Sequence, residues 1–339
     1  MNMGKKPRAL IAMSGGVDSS VAALLAMRMG YECAGVTMKL CAEIEGAERV
    51  AEALGIEHIT VDYSGEFRNL VIEPFVTSYR IGETPNPCIL CNRYIKFGLL
   101  YDYARENGFD KLVTGHYARI EDSLRLMRAA DTAKDQSYFL YCLTPEKLEN
   151  ILFPLGGLSK DEVRAIASEA GFENAGASES QDICFISDGG YSDFIADYSA
   201  APPASGNFID SEGRVLGWHC GIERYTIGQR RGLGIAVGHP IFVKEIRPDT
   251  GEIVLADEHE LFASRIGIAD VNLLSEMPER AEIMIRYNAK PARASVRLTE
   301  SGSIIAEFDD PVRAPAKGQA AVLYDGNYVI GGGRICVKK

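Results

Sequence analysis

An α/β N-terminal domain, a parallel sheet with helices on both faces, followed by two small all-β barrel-like modules, is the fold the sequence predicts. Three observations predict it. From residue 8 to roughly 200, short β-branched runs alternate with amphipathic helices, the pattern of a parallel sheet covered on both sides. The Ala/Pro/Ser/Gly-rich run "YSAAPPASGNFID" (198–210) then interrupts that pattern. Beyond it the chain reads as hairpin after hairpin around Gly-containing turns. The expected domains are 1–200, 201–262 and 263–339.

The elements follow in order. "RALIAM" reads as the first strand, and Val17 to Met29 as a helix with apolar Val21, Leu24 and Leu25 and an Ala-rich flank. "CAGVTM" is a second strand, "AERVAEALG" a helix and "HITVDY" a third strand. "EFRNLVIEPFVTSY" and "IKFGLLYDYAREN" are helical by three-and-four spacing, and "KLVTGHYA" is another strand. In "LSKDEVRAIASEAG", Ser159 is a natural N-cap and Gly171 a natural stop. "HPIFVKEIRPDTGEIVLAD" and "AAVLYDGNYVIGGG" are hairpins, one in each β module.

At 339 residues the chain exceeds one comfortable hydrophobic core, and 46% hydrophobic with 24% charged residues is the composition of a soluble globular protein. The N-terminus lacks the apolar core of a signal peptide and no eighteen consecutive residues are apolar, so a cytoplasmic protein with no membrane partner is expected. Eight cysteines in that reducing compartment are no disulfide framework; most are expected to be small buried hydrophobes. The net charge of -11 argues against a polyanionic partner over the whole surface. A nucleic-acid surface would be local, with Arg224, Arg230 and Arg231 in one candidate patch and Arg286, Lys290, Arg293 and Arg297 in another; both also read as solvated strand faces. The linker lengths suggest a monomer.

Ser14, Gly15, Gly16, Val17, Asp18, Ser19 and Ser20 lie between the first strand and helix. The glycines allow a tight turn, and the first-turn amides point at an anion with the helix dipole behind them. This is a pyrophosphate cradle without the Gly-Lys-Ser/Thr ending of a Walker loop or the spacing of GxGxxG. Lacking lysine and carrying Asp18, it suits a released pyrophosphate with Mg²⁺ on Asp18. "SGGVDSS" resembles the PP-loop of the ATP pyrophosphatase superfamily. That resemblance implies a Rossmann-like sheet, ATP as cosubstrate and adenylation of a substrate oxygen.

"TPNPCILCNRYIKFG" (84–98) holds Cys88 and Cys91 in a Cys-x-x-Cys spacing that, alone, leaves a zinc knuckle, redox pair, iron-sulfur corner or nucleophile open. A structural zinc site wants four ligands, and no second Cys-x-x-Cys or His pair is present. A thioredoxin-like pair fits poorly, since the motif precedes its helix in a chain that already carries an ATP-type loop. "TPNPCILCNRYIKFG", "VTGHYAR", "KDQSYFLYCL", "ESQDICFI", "YTIGQRRGLG" and "GQAAVLY" occur in order, and along nearly the whole chain the set resembles the bacterial tRNA-specific 2-thiouridylase family.

That resemblance implies thiolation of the wobble uridine, position 34, in tRNAs for Lys, Glu and Gln, with ATP and a persulfide from a cysteine desulfurase or sulfur-relay protein. It implies Cys184 as the persulfide carrier and Cys91 as its nucleophilic partner. In an electropositive site both would be thiolates near neutral pH, and Cys91, at the start of the "NRYIKF" helix, would feel the dipole that lowers a thiol's pKa. Asn86, Pro87 and Cys88 match the segment that contacts the target base, and Pro85 and Pro87 should hold that backbone extended. Ala12, Met13, Ser14, Gly15, Gly16, Val17, Asp18, Ser19, Met38 and Gly115 should surround ATP. His116, Lys134, Asp135, Gln136, Arg286, Tyr287 and Gln319 should meet the anticodon stem-loop, with the base flipped out of its stack. The sequence departs from the family pattern at Cys88, where an aspartate is usual. This opens an alternative in which Cys88, Cys91 and Cys184 hold a 4Fe-4S cluster that carries sulfide. A PP-loop small-molecule ligase or amidotransferase, and a non-catalytic tRNA-binding protein, remain as other readings.

Overall fold

A computed structural model describes residues 6–41, 46–121, 123–176, 183–186, 190–198 and 205–336. The expected break at residue 200, and residues 179–182 of "ESQDICFI", lie outside these ranges.

Strands β1 (Arg8–Ala12), β2 (Glu32–Lys39), β3 (Glu57–Asp62) and β4 (Lys111–Val113) belong to the first sheet, β5 (Ala118–Ile120) and β6 (Leu126–Arg128) form a hairpin, and β7 (Ile151–Leu152) returns to the first sheet. That sheet is parallel throughout, in the order β3-β2-β1-β4-β7. Alternate residues of β1 feed opposite cores, as the two-residue period of a strand dictates. Leu10 packs with Phe67, Phe75, Ile95 and Leu100 on one face. Ala9 and Ile11 pack with Val21, Ala22, Ala51 and Val163 on the other. The strand order reverses between β1 and β4, so the loops after these two strands flank one crevice, the usual ligand position of such sheets.

Two local expectations change. "KLVTGHYA" is not one strand: β4 ends at Val113, residues 114–117 leave the sheet, and Ala118 starts β5. The helix expected from Ile95 begins at Pro87, with proline in its first turn where no amide partner is lost, and runs through wide π-type turns at Cys91–Leu99 to Glu106. The helix Lys160–Glu169 starts as expected on a capping box, in which Ser159 and Glu162 satisfy each other's backbone amides.

The central module is a sheet in the order β10-β11-β8-β9, made of β8 (Gly206–Ile209), β9 (Val215–His219), β10 (Phe242–Arg247) and β11 (Glu252–Ala256) around Phe208, Val243, Ile253 and Leu255. The C-terminal module comprises β12 (Phe262–Leu273), β13 (Arg280–Met284), β14 (Ala292–Leu298), β15 (Ile304–Arg313), β16 (Ala320–Asp325) and β17 (Tyr328–Cys336). They run β12-β15-β14-β13-β16-β17, and β17 pairs again with β12 to close a six-stranded barrel filled by Ile268, Ile283, Leu323 and Ile335. Closure removes the sheet edges. The start of β17 also pairs with β6, Tyr328 opposite Met127, so the hairpin of the α/β domain extends the barrel wall.

A second clamp holds the barrel against the segment before Pro87. Glu83, 7% exposed, pairs with Lys317 and Arg334 at 3.1 Å each. Thr84 donates its backbone amide to the Lys317 carbonyl at 2.8 Å, and Gln319 Nε2 donates to the Pro85 carbonyl at 3.5 Å. Gly318 makes the approach feasible: its φ is +92°, and a Cβ there would lie 2.8 Å from Glu83 Cβ and 2.9 Å from the Thr84 nitrogen. Gly318→Ala should lower the unfolding free energy by about 1–3 kcal/mol, read from chemical denaturation. An unchanged midpoint would show that this approach is not tight.

Candidate active site

The loop after β1 is built on its serines. Ser14 donates its amide to Ser19 Oγ at 3.2 Å, while Ser19 Oγ and Ser20 Oγ donate to the Gly16 carbonyl at 3.0 and 2.9 Å. These bonds fix the turn before the first amides of the helix Val17–Arg28. Asp18 Oδ1 accepts from Tyr117 OH at 2.8 Å and from Lys160 Nζ at 2.7 Å. Lys160 is 8% exposed and comes from the first turn of its capped helix, so the cation missing from the loop arrives from 142 residues away. Sequence spacing gave no sign of it.

The second loop of the crevice touches the first backbone to backbone. A Cβ on Gly115 would lie 2.9 Å from both Asp18 C and Ser19 N, so only glycine fits. Next to it, His116 Nδ1 shares a 2.7 Å hydrogen bond with Thr114 Oγ1, and its ring packs between Phe97 and Phe153. Burial, reinforced by the charge of Lys96, drives its pKa well below the usual range, so the imidazole is neutral.

A cavity of about 400 Å³ joins these loops to the cysteines. Ala12, Met13, Ser14, Asp18, Ser19, Met38 and Gly115 line it on the sheet side. Pro87, Cys88, Cys91, His116, Gln136 and Cys184 complete it. Gly15, Gly16 and Val17 shape the loop without lining the cavity, and Gly15 faces a neighbouring recess with Arg49 and Asn174. Asn86 is the N-cap residue of the helix that starts at Pro87. Lys96, which the sequence reading did not single out, also lines the cavity. The wide turns of Cys91–Leu99 put residues five apart on one face, so Lys96 shares the face of Cys91. Cys184 is held by its neighbour: the Phe185 ring lies 5.8, 5.3 and 5.1 Å from Phe67, Phe75 and Phe194.

The thiols differ. Cys184 is lowered from the ordinary 9.0 to about 7, chiefly by a hydrogen bond from the Cys41 thiol and further by Lys96, against the opposing effect of desolvation. Cys91 is 8% exposed, and burial pushes it up to about 11 although Lys96 pulls the other way. Desolvation raises Cys88 as well. The expectation of two thiolates therefore fails for Cys91. The helix begins at Pro87, so Cys91 lies in its second turn and burial outweighs the dipole. All three thiols line the cavity, yet among the described residues no three His, Cys, Asp or Glu side chains are grouped to hold a metal ion.

The remaining predicted contacts lie further out. Lys134 is half-buried in a turn, its amide on the Asp131 carbonyl. Asp135 is buried and engaged by Ala129 N, Ser137 N, Ser137 Oγ and Arg128, which makes its carboxylate a knot in the fold, not an outward contact. Gln136 Oε1 accepts from the Tyr117 amide at 3.0 Å. Arg286 donates to the Ile227 and Ala314 carbonyls at 2.8 and 2.9 Å, tying the central module to the barrel. The Tyr287 ring lies 4.5 Å from that of Phe139, tilted by 40°. Arg230, Arg231, Lys290, Arg293 and Arg297 are exposed, and Arg224 is half-buried 3.9 Å from Asp193.

Three family models match the chain: "tRNA methyl transferase HUP domain" over residues 7–188, "tRNA methyl transferase PRC-barrel domain" over 192–257 and "Aminomethyltransferase beta-barrel domain" over 263–335. The chain is similar to the tRNA-specific 2-thiouridylase MnmA of Clostridioides difficile (strain 630), 44% identical over 359 residues and 99% of each chain. It is also similar to the protein of that name from Clostridium botulinum (strain Alaska E43), 42% identical over 358 residues and 99% of each chain.

The thiol geometry is open to direct titration. Iodoacetamide labelling followed by peptide mass spectrometry should modify Cys184 with a midpoint near about 7, and leave Cys91 largely unmodified at that pH. Lys96→Ala should move the Cys184 midpoint upward, because removing a nearby cation disfavours the thiolate. Equal labelling of Cys91 and Cys184 at neutral pH would contradict this electrostatic picture.

Proposed function

Because the chain belongs to the tRNA-specific 2-thiouridylase family, we propose that it makes 2-thiouridine at the wobble position of tRNAs for Lys, Glu and Gln. The observation that carries this reading is one cavity in which a phosphate-type loop faces a thiol of lowered pKa.

In the first step the uridine O2 attacks the α-phosphorus of ATP, pyrophosphate leaves, and the base becomes an O2-adenylate with loss of its N3 proton. The loop amides and helix N-terminus would receive the pyrophosphate. Asp18 is the only carboxylate among the described residues lining the cavity, so it is the residue that would hold Mg²⁺, which when bound screens the phosphates. Lys160, ion-paired to the same carboxylate, adds a fixed positive charge. In the second step the terminal sulfur of a persulfide on Cys184 attacks C2, the C2–O bond breaks and AMP leaves. The sulfur is then bound as C2–S–S–Cys184. A second thiol attacks the Cys184 sulfur, the S–S bond breaks, and the thiouridine sulfur departs with the electron pair. In the family pattern that thiol is Cys91.

The flipped base would enter beside Asn86, Pro87 and Cys88, with neutral His116 and Gln136 on the cavity wall. Lys134, Tyr287, Gln319 and the exposed arginines of the β modules would hold the anticodon stem-loop, while Arg286 and Asp135 act by fixing the parts that do so. A cysteine desulfurase or sulfur-relay protein would load Cys184. This is the work of a cytoplasmic monomer whose domains, 1–200, 201–262 and 263–339, divide chemistry from RNA contact. Among the described residues, no helix is long and apolar enough to cross a membrane. The alternative is a 4Fe-4S cluster on Cys88, Cys91 and Cys184, all three of which line the cavity. A small-molecule ligase or amidotransferase has no need of a low-pKa thiol facing its loop.

Incubation with ATP, Mg²⁺, a persulfide donor and unmodified tRNA for Glu should give tRNA retarded in a mercury-containing gel. Cys184→Ser should abolish the shift, and Asp18→Asn should slow it by about 100-fold. Retention of activity by Cys184→Ser would overturn the assignment. The protein purified without oxygen should lack a broad visible charge-transfer band, and a band that rises and falls with activity would favour the cluster.

A further inference from the structure

We propose that Asn174 is a positioning residue for the pyrophosphate end of ATP: it sets the peptides that offer the Gly16 and Val17 amides to the phosphates. Asn174 lies in the short 3₁₀ turn Glu173–Gly176, beyond the end of the helix Lys160–Glu169. That helix packs against Val17–Arg28, and the chain reaches the loop after β1 from both of its ends. Lys160 in its first turn pairs with Asp18. Past its last turn, Asn174 Nδ2 donates to the Gly15 carbonyl at 2.7 Å and to Ser20 Oγ at 3.1 Å.

These two bonds act on two successive peptides. A trans peptide carries its C=O and N–H in opposite directions, so with the Gly15 oxygen held at Asn174 the Gly16 N–H faces away from it. Ser20 Oγ, which accepts from Asn174, donates onward to the Gly16 carbonyl at 2.9 Å, and Ser19 Oγ adds a bond to the same oxygen at 3.0 Å. The Val17 N–H, opposite the Gly16 oxygen, is thereby fixed as well. Glycines on both sides make a flip of the Gly15–Gly16 peptide sterically cheap, and a flipped peptide would present a carbonyl oxygen to an anion in place of an N–H. The orientation therefore needs a hydrogen bond, and Asn174 supplies it.

The Asn174 amide is held with its donors toward the loop even though its own oxygen goes unpaired. Oδ1 is buried and has no hydrogen-bond partner among the described residues. Turning the amide over would bring that oxygen to Ser20 Oγ but set it against the Gly15 carbonyl, acceptor to acceptor. A buried unpaired acceptor opposes folding, so stability alone does not account for this arrangement. Holding the loop in an anion-binding form does.

This inference rests on the reading of Ser14–Ser20 as a pyrophosphate cradle, and the test separates the two. Dissociation constants for ATP, inorganic pyrophosphate and AMP are measured by calorimetry on full-length protein with Mg²⁺ and without tRNA. Asn174→Leu keeps a branched side chain but removes both donors. It should bind ATP and pyrophosphate about 10-fold more weakly and AMP as the wild type does. A purely structural role would weaken AMP along with ATP, and that result overturns the proposal, as does unchanged affinity for ATP and pyrophosphate. Should Asn174→Leu not fold, Asn174→Ala takes its place, and the wild type supplies an independent reading. Its amide hydrogen exchange, resolved to single residues, should slow at Gly16 and Val17 when pyrophosphate is added; unchanged exchange at both overturns the proposal. A wild type that binds ATP no more tightly than AMP, and binds no pyrophosphate, removes the cradle reading and the proposal with it. A wild type that discriminates, beside an Asn174→Leu protein that discriminates equally well, removes the role of Asn174 alone.

Discussion

The backbone contact between Gly115 and the Asp18–Ser19 peptide is the constraint on which the site depends. It exists because β1 and β4 are neighbours at the point where the strand order reverses, and because β4 stops at Val113 instead of continuing. A longer β4 would carry Gly115 and His116 along the sheet and leave the loop after β1 facing solvent. With the contact made, Tyr117 reaches Asp18, Gln136 bonds to the Tyr117 amide, and the cavity acquires its wall. Every other functional side chain is brought to that wall by an element anchored elsewhere. The barrel clamps the backbone before Pro87, the wide turns after Cys91 turn Lys96 inward, and the Phe185 ring pins Cys184.

Electrostatics within the cavity run against the charge of the whole molecule. The chain carries a net charge of -11, yet Lys96 lines the cavity and Lys160 is ion-paired to Asp18 on its wall. Lys160 is paired with the carboxylate of the phosphate-type loop, and Lys96 pulls the Cys184 and Cys91 thiols downward. The same low-dielectric surroundings that strengthen these charges keep Cys91 and His116 in their neutral forms. One thiol is poised and another is held back, although they share the cavity.

Much of this was legible in the sequence where the signal is local. The loop Ser14–Ser20, the capping box at Ser159 and the closing hairpins are each specified within a few residues by side-chain chemistry or period. What was not legible is what only tertiary contact decides. "KLVTGHYA" has the composition of one strand, and nothing in it announces that Gly115 must meet Asp18. A proline suits an extended backbone and a first helical turn equally, and Pro87 takes the second, which puts Cys91 beyond the helix N-terminus. Lys160, Lys96 and Cys41 escaped notice because their partners are far away in sequence or one wide turn removed.

The central claim is that one cavity both activates the base and delivers sulfur to it. Its most direct test is to follow label from [α-³²P]ATP into tRNA with the Cys184→Ser protein, which should still activate the base and then stall. Label accumulating on the target tRNA up to one per active site, with release of pyrophosphate, is the predicted result. Label appearing only as ADP, with none on the tRNA, would contradict it.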